Sequence, residues 1–407
     1  MTAPVRILRL ATGGDGVGRL EDGRTVFVPR TAPGDLVEIS EIHSHRRYAR
    51  ARAARVLEPS SDRVEPRCPH YVLDECGGCQ LQHLDATAQR EARRGFVGDA
   101  LRRIARLDAR DPDIVPAEEE FEYRTKITLA VDHDGRRIGL HPLDRPDRVF
   151  DLVRCHITTA ELMSLWAELR SLRELLPAAL RQIVLRLDRA GGRHLLLVGA
   201  PAGWMGADAL RRALAERGSG ATIWLQPEGA SAEAMDRPDS PFPATVFEQV
   251  HPRMGDKVRA FALAALGGVG GRHVWDLYAG IGEATVALIA GGASVESVES
   301  DPRAVAEAEA RGPAATRHVG RVERVLGRLR TPSLVITNPP RAGMDQRVSA
   351  ELERRSPARI VYISCDPATL ARDLTRMPGF RLVSAVAFDL FPQTAHVETV
   401  AVLERAP

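Results

Sequence analysis

The feature that most constrains the fold is the alternation of strand and helix patterns from about residue 256 onward. Apolar runs that predict strands begin at His273, Ser294, Ser333 and Arg359. Helical patterns over 302–311 and 368–376 lie between or after these runs. Consecutive strands separated by helices pair in parallel, because a parallel connection needs a long crossover. This part of the chain is therefore predicted to be α/β, a doubly wound Rossmann-like sheet.

The predicted strand ends carry the residue types of a nucleoside-binding crevice. The first strand runs into the turn Asp276-Leu-Tyr-Ala-Gly-Ile-Gly, the second ends in Glu299, and the third ends in Asn338-Pro-Pro. Glycines let a ligand approach the backbone, and a carboxylate at the second strand end suits ribose hydroxyls. The glycine spacing departs from the dinucleotide pattern. S-adenosylmethionine therefore fits the predicted crevice better than a dinucleotide does. The structural alternative is an ordinary strand–helix turn.

A thiol and a carboxylate follow this crevice in the sequence. Cys365 stands where a buried strand ends, and Glu398 lies in a later β-rich run. A nucleophilic sulfur and a base downstream of a nucleotide motif suggest covalent catalysis on an electrophilic ring. Cys365 suits the nucleophilic step if its position lowers the thiol pKa. The alternative is a buried structural cysteine.

The sequence pattern of the rest of the chain predicts two further domains. Short strand patterns and glycine turns over residues 1–58 predict a small β-barrel, a fold that binds RNA in some proteins and is structural in others. Residues 59–243 are predicted to form a mainly β, α+β central domain with a helical pattern over 159–182. A Pro-, Gly- and Ser-rich stretch at 227–243 marks a linker or insertion. Residues 244–407 then form the α/β domain.

Charge and hydropathy restrict the partners. The net charge is only +2, but arginines are dense between residues 46 and 110, where they could meet phosphates or form solvated helix faces. Apolar runs stay well short of the ~20 residues of a membrane span, and the N-terminal residues do not resemble a signal peptide. We expect a cytoplasmic monomer with no membrane partner.

Five cysteines, an odd number, argue against a disulfide framework in such a compartment. Cys68, Cys76 and Cys79 lie close together in the sequence, and Cys155 is a plausible fourth thiolate. Four thiolates suit zinc or an iron–sulfur cluster, and their spacing does not choose between them. His70 is either a zinc ligand or a surface histidine.

The motifs taken together resemble the uridine-C5 RNA methyltransferase family, in its iron–sulfur form with an N-terminal TRAM domain. The resemblance extends over nearly the whole chain and is weakest between about 157 and 240. The motifs that carry it are the glycine-rich β start, the four cysteines, Phe247-Glu-Gln249, Asp276-Leu-Tyr-Ala-Gly-Ile-Gly, Asn338-Pro-Pro-Arg-Ala-Gly, Ser364-Cys-Asp-Pro-Ala-Thr-Leu and His396-Val-Glu-Thr-Val.

The resemblance implies an RNA (uracil-C5)-methyltransferase that uses S-adenosylmethionine. It implies that Cys365 is the nucleophile that adds to C6 and that Glu398 is the base that removes the C5 proton. It further implies a [4Fe–4S] cluster on the four cysteines named above, and 23S ribosomal RNA as the substrate ahead of the transfer-RNA T-loop. The residues implied to contact the methyl donor are Gln249, Tyr278, Glu299 and Asn338.

Two departures from the family pattern leave rival functions open. Asn338 stands where the family usually has Asp, and Ala279 and Glu283 stand where Cys and Asn are frequent. An Asn-Pro-Pro motif also suits methylation of exocyclic amines, although that chemistry has no need of Cys365. A catalytically inactive RNA-binding protein is the other alternative, and the presence of Cys365 together with Glu398 argues against it.

Overall fold

The computed structural model describes residues 4–201, 203–235, 248–312 and 315–406. The chain divides into two compact units that draw on separate stretches of sequence. The first unit consists of Met1–Arg93, Glu118–Asp239 and Phe391–Ala395. The second unit consists of Arg94–Ala117, Ser240–Leu390 and His396–Pro407.

The N-terminal part of the first unit is a six-stranded sheet with the strand order β1-β5-β6-β4-β3-β2. Its strands are β1 Val5–Arg6, β2 Arg9–Leu10, β3 Gly16–Arg19, β4 Thr25–Val28, β5 Leu36–Ser44 and β6 Tyr48–Glu58. Alternate residues point inward, as the period of two requires, and pack a small apolar core around Val26, Val28 and Val37.

This sheet closes on itself because β1 and β2 are two halves of one kinked segment. Val5 pairs with Val37 of β5, whereas Arg9 pairs with Val17 of β3, so one segment supplies both ends of the strand order. Between them the Leu8 N–H donates to the Val17 carbonyl at 2.8 Å. The predicted small β-barrel is therefore confirmed.

The elements that follow in the chain include a second, seven-stranded sheet and helices. Its strand order is β10-β9-β8-β11-β12-β13-β14, and only the β12–β13 pair is parallel. The next elements in chain order are α1 Pro69–Leu73, α2 Ala86–Arg103, β7 Asp113–Val115, β8 Lys126–Val131, β9 Ile138–Leu140, β10 Phe150–Asp151, α3 Ala160–Ser171, β11 Gln182–Leu187, β12 Arg193–Val198, α4 Ala207–Glu216, β13 Thr222–Gln226 and β14 Glu233–Ala234. Strand β7 belongs to the third sheet.

Two sequence expectations change in this region. The helical pattern over 159–182 yields only α3 and a short 3-10 turn at Arg173–Leu175, and Pro177 then disfavours helical backbone at Leu176, the residue before it. The predicted linker at 227–243 contains β14, which pairs with β13. Residues 236–243 of that linker, the boundary between 243 and 244, and Phe247 lie outside the described residues.

The second unit is built on an eight-stranded sheet with the order β17-β16-β15-β18-β19-β21-β20-β7. Its strands are β15 His273–Leu277, β16 Ser294–Glu299, β17 Thr316–Val319, β18 Leu334–Thr337, β19 Arg359–Ser364, β20 Phe380–Phe388 and β21 Glu398–Arg405. Its helices are α5 Pro252–Leu266, α6 Glu283–Ala290, α7 Pro302–Arg311, α8 Val322–Val325, α9 Gln346–Arg355 and α10 Pro367–Thr375.

The strand order of this sheet reverses beside β15. From β15 the chain moves outward to β16 and β17, and then returns to the other side of β15 to form β18 and β19. These five strands are parallel, as predicted, and a crevice forms outside their carboxyl ends at such a reversal. The α/β Rossmann-like prediction is confirmed. Among the described residues, no helix is both long and apolar enough to span a membrane.

Candidate active site

Three neighbouring strand ends meet at the reversal beside β15. The Gly280 N–H, just after β15, donates to the Glu299 carboxylate at 2.9 Å, and the Ala279 N–H donates to the Val298 carbonyl at 3.0 Å. On the other side, the Asn338 N–H donates to the Leu277 carbonyl at 3.2 Å. The structure thus brings together three of the four residues that the resemblance assigned to the methyl donor.

The backbone between β15 and α6 is shaped for a close ligand. Tyr278 and Gly280 have positive φ angles of 61° and 55°. A left-handed conformation is unfavourable for tyrosine, and such residues cluster at functional sites. No heavy atom lies within 4 Å of the point where a Cβ on Gly280 would stand. The turn therefore leaves open space beside its backbone, which a ligand could use.

Two side chains at these strand ends remain available to a ligand. The Tyr278 hydroxyl and the Asn338 amide make no hydrogen bond within the part of the chain that the structure describes. The Glu299 carboxylate is already engaged, because it accepts from Gly280 and also from the Ser300 N–H at 2.6 Å. Burial raises the pKa of the Tyr278 phenol, so it stays a neutral donor.

Gln249, the fourth residue predicted to contact the methyl donor, is not hydrogen-bonded to the other three in the described part of the chain. It lies just before α5, and its Cβ and Cγ pack beside Gly255. Within the described ranges, no hydrogen bond joins its side chain to Tyr278, Glu299 or Asn338. Its role as a donor contact stays a prediction.

Glu283, one of the departures from the family pattern, has a partner inside the protein. Its carboxylate forms a close ion pair with Arg259 of α5, and Arg259 also pairs with Asp256. A negative side chain in the first turn of α6 is also favourable to the helix dipole. This carboxylate therefore has a structural role in linking α5 to α6.

Asp276 stabilises the same turn, and the sequence analysis did not predict this role. It is fully buried and accepts from the Thr285 hydroxyl of α6 at 2.5 Å. Burial raises its pKa to about 6. This hydrogen bond between Thr285 and Asp276 holds the end of β15 against the start of α6. Because Asp276 opens the motif around Gly280, the motif could have indicated this role.

Strand pairing brings Cys365 and Glu398 to the same end of one ladder. β19 and β21 are antiparallel, and their last pair sets Ser364 of β19 opposite Thr399 of β21. Cys365 directly follows Ser364, Glu398 directly precedes Thr399, and the Glu398 carboxylate acts electrostatically on the Cys365 thiol. Cys365 is partly exposed, whereas Glu398 is 1% exposed. The predicted thiol and carboxylate therefore lie within electrostatic range of each other at the end of the ladder.

The electrostatics of this pair differ from the sequence expectation. The lowered pKa on which the nucleophilic role of Cys365 was made conditional is not found, because burial, followed by the Glu398 carboxylate, raises the pKa of this thiol to about 11. Burial likewise raises the pKa of Glu398 to about 8. The Glu398 Oε2 atom is buried and has no hydrogen-bond partner among the described residues. Both groups are consequently held mainly in their protonated forms at neutral pH.

Arg341 is the cation that opposes this effect. Its charge lowers the pKa of both Cys365 and Glu398, so it favours the two anions that nucleophilic and base chemistry require. Sequence reasoning treated Arg341 only as part of the Asn338-Pro-Pro-Arg motif. Its action on a thiol and a carboxylate from two other strands was not visible in the sequence.

Asp373 of α10 holds the loop that carries Arg341, and it was also missed. This buried carboxylate accepts from the Met344 N–H at 2.7 Å and from the Tyr362 hydroxyl at 2.8 Å. The neighbouring Arg372 donates to the Ala342 carbonyl at 2.7 Å. Asp373 is thus a positioning residue for the loop between β18 and α9.

The four cysteines of the predicted cluster lie within electrostatic range of one another. Cys68, Cys76 and Cys79 are buried and Cys155 is partly buried, and all are free thiols. Burial raises the pKa of Cys76 to about 12, and burial, followed by the sulfurs of the other three cysteines, raises the pKa of Cys79. Even so, the described His, Cys, Asp and Glu side chains include no group of three or more arranged to hold a metal ion.

His70 is neither a metal ligand nor a surface residue in this structure. It is 9% exposed, its Nδ1 lies 2.6 Å from an Asp74 carboxylate oxygen, and its Nε2 accepts from the Val153 N–H at 3.0 Å. Both ring nitrogens are therefore used within the protein, which leaves no lone pair for zinc.

Many of the arginines between residues 46 and 110 have internal partners. Arg52 pairs with Glu75 at 2.7 Å, Arg63 with Asp35 at 2.8 Å, and Arg102 with Asp111 at 2.8 Å. Arg93 is 1% exposed and donates to the Thr394 carbonyl. The arginine-rich stretch is thus only in part a surface that could meet phosphates.

The fold and the strand-end crevice are those of a class I methyltransferase. Two family models match the chain: "TRAM domain" over residues 2–54 and "tRNA (Uracil-5-)-methyltransferase" over residues 303–406. The chain is 31% identical to the 23S rRNA (uracil(1939)-C(5))-methyltransferase RlmD of Thiobacillus denitrificans, with 100% of both chains covered. It is 32% identical to an uncharacterized RNA methyltransferase of Gloeobacter violaceus, over 100% of this chain and 97% of that one.

These similarities show that the chain belongs to the RNA (uracil-C5)-methyltransferase family, as the sequence motifs indicated. Among solved structures, the Pyrococcus abyssi tRNA (uracil-54, C5)-methyltransferase, determined with S-adenosyl-L-homocysteine, superimposes with a TM-score of 0.74. The two chains are 24% identical, and the alignment covers 99% of each. At this identity the likeness supports the shared fold.

Proposed function

We propose that this protein methylates C5 of a uridine in RNA, with Cys365 as the nucleophile, Glu398 as the base and S-adenosylmethionine as the methyl donor. Tyr278, Glu299 and Asn338 would hold the donor at the strand ends, with Gln249 as a further contact. The observation that carries the proposal is the end of the β19–β21 ladder, where Cys365 and Glu398 adjoin the last pair, Ser364 and Thr399, and where the carboxylate acts electrostatically on the thiol. Family membership supplies the reaction type.

The chemistry assigns one step to each of the two side chains. The Cys365 thiolate, its proton lost to solvent, adds to C6 of uracil and pushes the C5–C6 electron pair toward O4. Bound S-adenosylmethionine supplies the methyl group that becomes attached to C5. Glu398 then takes the C5 proton, the C5–C6 double bond re-forms, and the bond from Cys365 to C6 breaks.

The unpartnered, buried Glu398 Oε2 is suited to accept a proton from carbon. It makes no hydrogen bond within the described residues, so no bond has to break before the proton arrives. A pKa of about 8 makes Glu398 a stronger base than an ordinary carboxylate while leaving part of it ionised near neutral pH. Arg341 shifts both reacting groups toward their active anionic forms.

We infer that the RNA is ribosomal. The full-length relative from Thiobacillus denitrificans is named for uridine 1939 of 23S rRNA, and it is more similar in sequence than the solved tRNA enzyme. The target base must be unpaired or flipped, because a helix hides the ring face that Cys365 attacks. The N-terminal barrel, which matches the TRAM domain, would contact the surrounding RNA.

We further propose a [4Fe–4S] cluster on Cys68, Cys76, Cys79 and Cys155. Four thiols in mutual electrostatic range, mostly buried and free of disulfides, are the donor set that such clusters use. Zinc is the competing occupant. Anaerobic reconstitution followed by iron, sulfide and zinc analysis separates the two: about four irons with matching sulfide per chain support the cluster, and one zinc without sulfide contradicts it.

The organisation predicted from the sequence complements this proposal. The barrel over 1–58, the central region over 59–243 and the methyltransferase region over 244–407 would act as three domains. A cytoplasmic monomer remains our prediction for the protein as a whole.

The activity is tested by methyl transfer from labelled S-adenosylmethionine to transcripts of 23S rRNA fragments and of transfer RNA, followed by nucleoside mass spectrometry. We expect 5-methyluridine in a 23S fragment. Label in 5-methyluridine of transfer RNA alone would move the substrate to the T-loop. Label on an exocyclic amine, or RNA binding without transfer, would overturn the proposal.

A further inference from the structure

The tip of the hairpin between β5 and β6 carries two adjacent arginines, Arg46 and Arg47. Both are exposed, and neither makes a hydrogen bond or an ion pair within the part of the chain that the structure describes. Their charges are therefore left to solvent or to a partner. The reaction proposed above makes no use of them.

Other arginines of the same hairpin differ, because they have carboxylate partners. On β6, Arg50 lies 3.6 Å from a carboxylate oxygen of Asp15, and Arg55 lies 3.3 Å from one of Glu38. The charge of these arginines is thus offset within the barrel. The two arginines at the tip are the cations that the barrel leaves uncompensated along this hairpin.

The turn between β3 and β4 lies beside the tip, since Arg24 Nη1 donates to the His45 carbonyl at 3.2 Å. Arg24 also pairs with Asp22 at 2.6 Å. Glu21 of this turn is exposed and has no ion-pair partner among the described residues. Three arginines therefore stand against two carboxylates in the tip and this turn together, which leaves a net positive charge.

Two aromatic rings lie next to the charges at the tip. The His45 N–H donates to the Tyr48 carbonyl at 2.8 Å, which closes the turn and sets the two residues opposite each other. Opposed residues of an antiparallel pair have neighbouring side chains, and these rings stack with their centroids 4.4 Å apart at an angle of 21°. Phe27 of β4 contacts the Tyr48 ring edge-on at 5.8 Å, which anchors the stack to the barrel.

An exposed ring stack beside two uncompensated cations matches the chemistry of an unpaired nucleotide. One face of the exposed His45 ring lies against Tyr48, and no other described ring stacks on His45. A nucleobase can extend this stack, because every base has a π-face. The phosphates on either side of that base would then meet arginine side chains, whose planar N–H groups match phosphate oxygens.

We propose that the tip of the β5–β6 hairpin binds an unpaired nucleotide of the substrate RNA, with its base on the His45 ring and the flanking phosphates on Arg46 and Arg47. RNA is favoured over an acidic peptide because a peptide carboxylate would use the arginines and leave the exposed rings without a partner. The site rests on the proposed function for its substrate, and none of its residues is assigned to the chemistry.

The first test measures binding of the full-length, reconstituted protein to a 23S rRNA fragment and to a transfer RNA transcript over a series of salt concentrations. We expect the double variant Arg46→Gln, Arg47→Gln to reduce the slope of log K against log salt by about 1.4, as two lost phosphate contacts to a single strand require. The double variant Arg46→Lys, Arg47→Lys should retain most of the slope.

The charge-matched control is the double variant Arg55→Gln, Arg211→Gln. It removes two arginines that pair with Glu38 and Asp208, and it should leave the slope unchanged. A control that reduces the slope as much as the tip variant would overturn the proposal, since the effect would then reflect net charge alone.

The second test concerns the stacked base. We expect His45→Ala to weaken RNA binding about fivefold or more, as the loss of one stacked base does, with an unchanged salt slope because no phosphate contact is lost. His45→Phe keeps a flat ring and should retain the affinity. Wild-type affinity in His45→Ala would overturn the assignment of a base to this ring. Wild-type affinity and slope in the double glutamine variant of the tip would overturn the site and leave an acidic protein as the partner class.

The two proposals fail in different ways. If the proposed function is wrong, the wild-type protein transfers no methyl group to C5 of uridine in any transcript. If only the hairpin proposal is wrong, the wild-type protein methylates RNA and the double glutamine variant of Arg46 and Arg47 does so with unchanged KM and kcat. If both hold, that variant raises KM for RNA about tenfold and leaves kcat near the wild-type value.

Discussion

The strand-end site and the cysteine region both contain cysteine thiols, but the partners of these thiols are provided in different ways. Cys365 and Glu398 lie at the same end of one ladder because two strands pair in a fixed register. Cys76 and Cys79 lie on a loop, and burial together with the neighbouring sulfurs raises their pKa values. A hydrogen-bonded ladder thus fixes the positions of the two residues that we propose to react. The arrangement of thiols on a loop depends on the group that they bind. The two regions should therefore respond differently when one of their cysteines is substituted.

The largest effect is expected from Glu398→Gln. The amide keeps the shape of the side chain but cannot accept the C5 proton, so turnover should fall by about 10²- to 10⁴-fold. Addition and methyl transfer precede this step, and we therefore expect the variant to accumulate a covalent adduct with unmodified RNA on a denaturing gel. Slow turnover with no adduct would show that Glu398 acts before the bond to C6 forms.

A comparable substitution in the cysteine region should separate the two sites. Cys79→Ser is expected to lose most of the bound iron and to lower the Tm by several degrees, because ligand binding and folding are coupled in such sites. Cys365→Ser is the matched control, with wild-type iron content and Tm. Equal iron content in Cys79→Ser and wild type would contradict the assignment of Cys79 as a ligand.

A smaller effect should follow from Arg341→Gln. Removing this charge raises the pKa of Cys365 and Glu398 further, so the rising limb of the pH–rate profile moves to higher pH. At neutral pH the rate should fall roughly tenfold for each pKa unit of displacement. Arg341→Lys should restore much of the profile. A uniform loss of rate at every pH would instead indicate a role in substrate binding.

The smallest effect concerns stability. The pKa of Glu398 is raised from an ordinary 4.5 to about 8, so the folded protein binds this proton more tightly than the unfolded chain does. Its contribution to stability is therefore full below pH 4.5 and is lost as the pH rises through 8. Urea unfolding at several pH values should show Glu398→Gln gaining stability relative to wild type as the pH rises. Glu404→Gln, at a carboxylate whose pKa is lowered by Arg359, should show no such trend above pH 5.

Sequence reasoning predicted the parallel sheet and its strand-end residues because each depends on local pattern. Strand β16 and the glutamate that ends it, for example, were visible as an apolar alternation followed by a carboxylate. The antiparallel register of β21 and the edge strand β7 depend on pairings distant in sequence, and no local signal indicates them.

The charges at the site were harder to predict than its residues. The direction of the Cys365 pKa shift depends on burial and on Glu398, a residue from another strand. The roles of Arg341 and Asp373 likewise depend on loop packing rather than on a motif.

The central claim is that Cys365 forms a covalent bond to C6 of uridine in RNA. Its most direct test mixes the anaerobically purified protein with S-adenosylmethionine and 5-fluorouridine transcripts of 23S fragments and of transfer RNA, and analyses the products on a denaturing gel. Fluorine at C5 cannot leave as a proton does, so we predict a stable protein–RNA band that is absent from Cys365→Ala. A band that persists in Cys365→Ala, or 5-methyluridine formed by that variant on normal RNA, would contradict the account.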